Sequence, residues 1–277
     1  MSFDSTLKTA GDQIELVIDT WTRPIKPHLQ SISRFLIVAT FYEDALRIVA
    51  QWGIQLAYLS ERCHLPRVLT GMYLVLNVAS MLVFSSFIIT KRHVTISVVA
   101  LLAVVGTQAL MYGLVFDMLF FLRNLSIMGG LLLCLSESLL RRHSSQKSST
   151  MFALPQMSES ERHKYFQLAG RVLLVLLFVG FIFNGEWGFL RVTFSLIGFA
   201  ACVMVAVGFR ARWSATFLVS LLCVMNMLLN NWTGLSGSQR DFVKYDFFQT
   251  LSIVGGLLLL ISIGPGGLSY DEKKKEF

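Results

Sequence analysis

An all-α polytopic membrane protein, with about eight transmembrane helices arranged as two parallel four-helix repeats, is the fold class this sequence predicts. Three observations predict it. Long apolar runs recur along a chain that is 54% hydrophobic and only 15% charged. Lysine and arginine gather in short tracts between those runs, and one nine-residue stretch returns 126 residues later. So apolar a composition, with positive mean hydropathy, cannot form an ordinary soluble surface, so the bilayer is its solvent. The net charge of +7 then encodes topology rather than an affinity for nucleic acid, and no nucleic-acid partner is expected.

Residues 1–30 read as a cytosolic amphipathic segment. Ile14, Val17, Ile18 and Trp21 share one helical face, and Pro24 and Pro27 end the helix. Whether that face lies on the membrane or packs on the rest of the protein is open. Charges and two prolines replace the apolar core of a cleavable signal peptide, so the first hydrophobic run is expected to act as an uncleaved signal anchor.

A spanning helix needs about 20 apolar residues to cross roughly 30 Å of hydrocarbon. Eight stretches qualify: 33–54, 67–89, 94–115, 118–140, 167–184, 190–209, 213–231 and 245–263. The first is interrupted by Glu43, Asp44 and Arg47, the fourth by Arg123 and Asn124. They group into a first membrane repeat at 31–140, a cytosolic Ser/Arg/His-rich linker at 141–165, a second repeat at 166–264 and a cytosolic tail at 265–277.

Orientation follows from the basic residues. A cytosolic amino terminus places 16 lysines and arginines on the cytosolic side, against only Arg62, Arg67, Arg191, Arg240 and Lys244 outside. An even number of crossings returns the carboxyl terminus to the cytosol. The repeat pairs Leu125-Ser-Ile-Met-Gly-Gly-Leu-Leu-Leu133 with Leu251-Ser-Ile-Val-Gly-Gly-Leu-Leu-Leu259. More weakly, Arg34–Phe41 matches Arg171–Phe178, and the basic hairpin at Lys91 and Arg92 matches that at Arg210 and Arg212. Repeats of four spans each point the same way, related by an axis near the membrane normal.

Glu43, Asp44 and Arg47 occupy one face of the first span at i, i+3 and i+4 spacing. Charges at such depth cost about 3 kcal/mol each on insertion scales, so they must pair or line a wet cavity. In the fourth span Asp117 stands at the luminal entrance, with Arg123 and Asn124 roughly 9 to 11 Å deeper at 1.5 Å per residue. The repeat offset maps these two onto Gln249 and Thr250, just inside Tyr245 and Asp246. The expectation is a luminal-facing pocket with aromatic and acidic groups at its mouth; a buried network of Glu43, Asp44, Arg47 and Arg123 that only fixes packing is nearly as well supported. Gly129-Gly130 and Gly255-Gly256 mark close helix approach.

Catalytic and cofactor chemistry finds no footing. The five histidines fall in loops or at helix ends, and no CxxC or HExxH spacing exists, so no enzyme activity, metal or cofactor is expected. Cys134, Cys202 and Cys223 fall in apolar runs and only Cys63 in a loop, which leaves no loop disulfide. The Asn231-Trp-Thr233 sequon abuts the seventh span and is expected to be unmodified. Gly264-Pro-Gly-Gly267 stops the last span, and Lys274 and Lys275 then stand fourth and third from the carboxyl end. On a cytosolic tail that is the dilysine address read by the coat of retrograde vesicles, although lysine-rich tails also bind anionic lipid.

Thr40-Phe-Tyr-Glu-Asp44 with Arg47, Gln51 and Trp52, Phe121-Leu-Arg-Asn124, Met151-Phe-Ala153, Gln167-Leu-Ala-Gly-Arg-Val-Leu-Leu-Val175, Lys244-Tyr-Asp-Phe-Phe-Gln-Thr250 and the Gly-Pro-Gly-Gly ending resemble the Surfeit locus protein 4 family. These are the animal counterparts of a yeast cargo receptor of endoplasmic-reticulum vesicles. The similarity covers nearly the whole chain and is close enough to suggest an animal ortholog. It is weakest at 54–66, 184–190 and 232–240.

The resemblance implies a receptor that captures soluble secretory cargo, lipoproteins included, by an exposed amino-terminal tripeptide with a central proline. It implies export in COPII-coated vesicles, retrieval by COPI, and cycling between the endoplasmic reticulum and the ER-Golgi intermediate compartment. A free amino terminus calls for carboxylates beside aromatic surface, for which Asp117, Glu43, Asp44 and Asp246, with Tyr245, Phe247 and Trp232, are the candidates. Membrane lipids and a homo-oligomeric partner are further expected contacts. The alternatives are a membrane transporter or lipid scramblase, since paired repeats with intramembrane charges also build transporters, and a scaffold that holds other membrane proteins.

Overall fold

The computed structural model describes residues 28–113, 116, 118–147, 164–175, 189–230, 232–234, 236–264, 266 and 269. They are helical almost throughout and include no strand. In chain order the helices are α1 (28–50), α2 (Trp52–Cys63), α3 (Arg67–Ile89), α4 (Val94–Met111), α5 (Met118–Lys147), α6 (164–175), α7 (Phe189–Val207), α8 (Ala211–Leu229) and α9 (Ser238–Ile263). Five described helical stretches are long and apolar enough to cross a membrane: Arg67–Ile89, Val94–Met111, Phe120–Arg141, Ala211–Leu228 and Gln239–Ile263. α3 has the character of such a span. Leu74, Asn77, Met81, Ser85 and Ile88 turn one face into the bundle, while Val68, Met72, Val75, Leu76 and Val83 are exposed on the other. A helix apolar on its buried and exposed faces alike belongs in lipid.

Every expected span coincides wholly or partly with a helix, but three boundaries move. The 54–66 stretch expected to be a loop is helical to Cys63. Backbone bonds from Gln51 N to Arg47 O (3.0 Å) and from Gln55 N to Gln51 O (3.0 Å) carry the chain through a bend at Gln51, and the helix stops only before Pro66. Cys63 is therefore a helix residue. α5 runs into the expected linker as far as Lys147. α9 starts at Ser238, seven residues before the expected 245, which sets Tyr245 and Asp246 within the helix rather than at its lip. Polar residues can extend a helix beyond the hydrocarbon, so hydropathy marks the membrane boundary and not the helix end.

Turns of a few residues make α3 and α4, and α7 and α8, antiparallel neighbours. Both turns place a non-glycine residue in the left-handed region just before the following helix: His93 at φ 46° and Arg210 at φ 44°. α9 is the central element, packed on α5 and α8. α5 and α9 cross at Gly130 and Gly256, where a Cβ added to Gly256 would sit 3.3 Å from Gly130 Cα. On α9, the Ser252 hydroxyl donates to the Leu36 and Ile37 carbonyls of α1 at 3.0 and 2.9 Å. On α5, the Ser126 hydroxyl donates to the Leu173 and Leu174 carbonyls of α6 at 3.0 and 3.3 Å. Such close contacts need small residues, because apolar helices gain little from mutual burial in lipid.

Candidate functional site

Alternating helix direction brings one set of termini to one end of the bundle: the second half of α1, the start of α3, the end of α4 and the starts of α5 and α9. The first charged cluster lies there. Asp44 is buried and accepts from Arg47, one turn along α1, and from Gln108 Nε2 of α4 at 2.8 Å. Arg47 also lies over the Tyr245 ring, its guanidinium carbon 5.1 Å from the centroid, a cation–π distance. Tyr245 in turn stacks on Phe120 of α5. Asp246, beside it on α9, pairs with Arg123 of α5. Farther out, Gln51 Nε2 donates to Asp241 Oδ2 at 2.6 Å.

Glu43 is the exception among these charges. Its carboxyl is 3% exposed, neither oxygen takes part in a hydrogen bond, and the Lys244 ammonium stands at 3.6 Å, beyond ordinary hydrogen-bond length. On α9 the Gln249 amide is likewise buried with both polar atoms unpartnered. Trp232 packs edge-on against Phe247 at 4.6 Å between centroids.

Of the residues predicted from the sequence, Glu43, Asp44, Arg47, Arg123, Tyr245 and Asp246 therefore converge. Asn124 is half-buried and joins none of these pairs among the described residues. Asp117, Asn231, Lys274, Lys275 and the amino-terminal helical face lie outside the described residues. The network expected to join Arg123 to Glu43, Asp44 and Arg47 is wired differently: Arg123 takes Asp246, and Lys244 faces Glu43. Helix rotation decides such partners. Sequence reading names Gln249 through the repeat offset but not Gln108 or Lys244 as members, although a lone amide in an apolar run such as that around Gln108 is a usable signal.

A second cluster lies at the opposite end. Arg34 of α1 is 1% exposed and grips Glu137 of α5 in bidentate fashion, with Nη2 2.7 Å from Oε1 and Nε 3.0 Å from Oε2. Arg141, one turn on, donates to the same carboxylate at 3.1 Å and also to Gln30. Lys91, on the α3–α4 turn, lies within electrostatic reach of this group. Desolvation, with the Arg141 and Arg34 charges, lowers its proton affinity against the opposing pull of Glu137. Sequence reading passes over this cluster because Arg34 counts only towards topology and the repeat, and Glu137 towards neither. No group of three or more histidine, cysteine or acidic side chains among the described residues is placed to hold a metal ion.

The described residues, an all-helical bundle with five membrane-length apolar helices and charge pairs between helices, have the build of a polytopic membrane protein. The chain belongs to the SURF4 family, whose model matches residues 8–277. It is 40% identical over 261 residues to the Surfeit locus protein 4 homolog of Schizosaccharomyces pombe, spanning 93% of this chain and 85% of that protein. The ER-derived vesicles protein ERV29 of Saccharomyces cerevisiae is 40% identical over 253 residues, spanning 91% and 78%. The Surfeit locus protein 4 homolog of Drosophila melanogaster is 36% identical over 252 residues, spanning 90% and 91%. These identities do not favour an animal source over a fungal one. No solved structure matches the chain.

Proposed function

We propose that the protein is a cargo receptor of endoplasmic-reticulum vesicles which holds the free amino terminus of soluble secretory proteins, lipoproteins among them, in a luminal recess between α1, α4, α5 and α9. Kinship with an ER-derived vesicles protein supports the compartment. The observation that carries the binding chemistry is the Glu43 carboxylate, buried and without a hydrogen-bond donor. A protonated amino terminus offers three N–H donors, and hydrogen-bond donors are what this acceptor lacks, the Lys244 ammonium standing at 3.6 Å. The exposed third of the Arg123 and Asp246 side chains supports an opening to water, since charges turned to hydrocarbon cost about 3 kcal/mol each.

Two four-helix repeats and eight spans complete the reading. The Ser126 and Ser252 bonds, 126 residues apart, support it by each joining the last helix of one half to the first helix of the other. The cytosolic termini, the COPII and COPI contacts, cycling through the intermediate compartment and self-association belong to the same proposal. Changing Lys274 and Lys275 to serine is expected to move the protein from the reticulum to the Golgi. Unchanged steady-state location by immunofluorescence would remove the retrieval signal.

The binding site is tested with a peptide that begins in an apolar tripeptide with a central proline, offered to purified protein with its amino terminus free or acetylated. Charged hydrogen bonds contribute about 1.5 to 3 kcal/mol, so acetylation is expected to weaken binding roughly tenfold or more, and Glu43→Gln to erase the preference. Asp246→Asn should weaken binding less, because Arg123 already engages that carboxylate. Equal binding of free and acetylated peptide would refute the assignment.

A further inference from the structure

Gln249 of α9 is 1% exposed, and neither Oε1 nor Nε2 of its amide has a hydrogen-bond partner. Protein interiors seldom leave both halves of an amide unpaired, because each has given up its bond to water. Its repeat counterpart Arg123, by contrast, pairs with Asp246. Helix register sets Gln249 beside Glu43, the other unpaired group of the recess. Ser252 of α9 donates to the Leu36 and Ile37 carbonyls of α1, and a Cβ at Gly255 would meet the Ser33 carbonyl oxygen and Ile37 N. Counting back antiparallel from Ser252 puts Gln249 level with residues 39–40 of α1. Glu43 is then level with residues 245–246 of α9, about 5 Å away along the axis at 1.5 Å per residue. Gln249 shares a face with Tyr245, four residues before it, and Ser252, three after it, both of which touch α1. Helical side chains lean toward the amino terminus of their own helix, so on antiparallel helices Glu43 and Gln249 lean toward each other.

We infer that Gln249 is a specificity-determining residue of this recess: while Glu43 takes the ammonium of a bound chain, the Gln249 amide reads the first residue, Oε1 accepting a second ammonium N–H and Nε2 donating to the first peptide carbonyl. The inference rests on the amino-terminus reading above and adds what selects the ligand. A carboxylate alone attracts any ammonium, and the Lys244 ammonium already stands 3.6 Å from Glu43. An α-amino terminus differs from a lysine side chain in carrying a carbonyl carbon two bonds from its nitrogen. The Gln249 side chain presents one acceptor and one donor on a single planar group, the complement of that ammonium and its neighbouring carbonyl. A site whose buried polar groups are filled only by the right ligand rejects one that leaves them unpaired. Glu43 and Gln249 together therefore select the end of a peptide chain over an isolated ammonium.

The test titrates purified full-length protein with a peptide labelled at its carboxyl end, beginning in an apolar tripeptide with a central proline. Three forms are compared: free at the amino terminus, acetylated, and free with the first peptide bond replaced by an (E)-alkene. Proline has no N–H, so the alkene removes only the carbonyl acceptor. Wild type is expected to bind the alkene peptide roughly fivefold more weakly than the free native one. Gln249→Met should bind the native and alkene peptides alike, while still preferring a free to an acetylated amino terminus. Because the fold loses no hydrogen bond, Gln249→Met should also melt at or above wild type. The inference is overturned if wild type binds the native and alkene peptides equally, if Gln249→Met still tells them apart, or if Gln249→Met melts well below wild type. In each of those cases a wild-type preference for the free over the acetylated peptide leaves the Glu43 assignment standing. Equal binding of the free and acetylated peptides by wild type removes both.

Discussion

Glu137→Ala is expected to cost about 3 to 5 kcal/mol of stability, the range found when one partner of a buried ion pair is removed. Arg34, at 1% exposure, would then hold a guanidinium between helices with no counter-charge, and Arg141 would lose its acceptor on α5. For a chain of this size that corresponds to a fall in melting temperature of roughly 10 °C, measured on detergent-purified protein by size-exclusion survival after heating. Replacing both partners, Arg34→Met with Glu137→Leu, should recover most of the loss, because well-packed apolar side chains often serve as well as a buried pair. The Arg123–Asp246 pair offers the contrast. Both side chains are about a third exposed, so Asp246→Asn should cost far less than Glu137→Ala. A Glu137→Ala protein that melts within a degree or two of wild type would show the pair to be dispensable.

Gly129→Ala is expected to be the second severe change, with Gly255→Ala close to it. A Cβ at 129 would lie 2.7 Å from the Gly170 carbonyl oxygen and 2.8 Å from both Leu173 Cβ and Leu174 N. At 255 it would lie 2.7 Å from Ile37 N and 2.8 Å from the Ser33 carbonyl oxygen. Backbone atoms cannot rotate aside, so the helices must separate and stretch the adjoining Ser126 and Ser252 bonds. Overpacking of this kind costs about 1 to 3 kcal/mol. Gly130→Ala is the control. Its nearest side-chain atoms, on Ile37, are 3.7 Å away, so the methyl fits at ordinary contact and the helix gains from losing a glycine. The same melting measurement should find Gly130→Ala near or above wild type and Gly129→Ala well below it. Equal behaviour of the two would mean that α5 does not approach α6 this closely.

These contacts also mark how far the sequence could be read. The paired Gly-Gly stretches announced a close approach, and Leu125–Leu133 and Leu251–Leu259 announced that it occurs twice. The segment to which each glycine yields was not legible. For Gly129 it is α6 at Gly170, and for Gly255 it is α1 at Ser33. The bend at Gln51 was missed because a helix with its backbone bonds intact keeps the same periodicity on either side.

By itself, the sequence determined membrane residence, the approximate place of each apolar helix, and the polar residues that had to find partners. Each follows from local physics: hydrocarbon thickness, the period of a helix, and the cost of charge in lipid. The tertiary structure decided who pairs with whom. Arg34 meets Glu137 across 103 residues, and Arg123 meets Asp246 across 123. Such pairings depend on the rotation of each helix about its axis and on which helices become neighbours. Local spacing fixes the face a side chain occupies but says nothing of what lies opposite. The same reason explains why Glu43 was legible as a buried charge, while its lack of a hydrogen-bond donor emerged only once α9 lay beside α1.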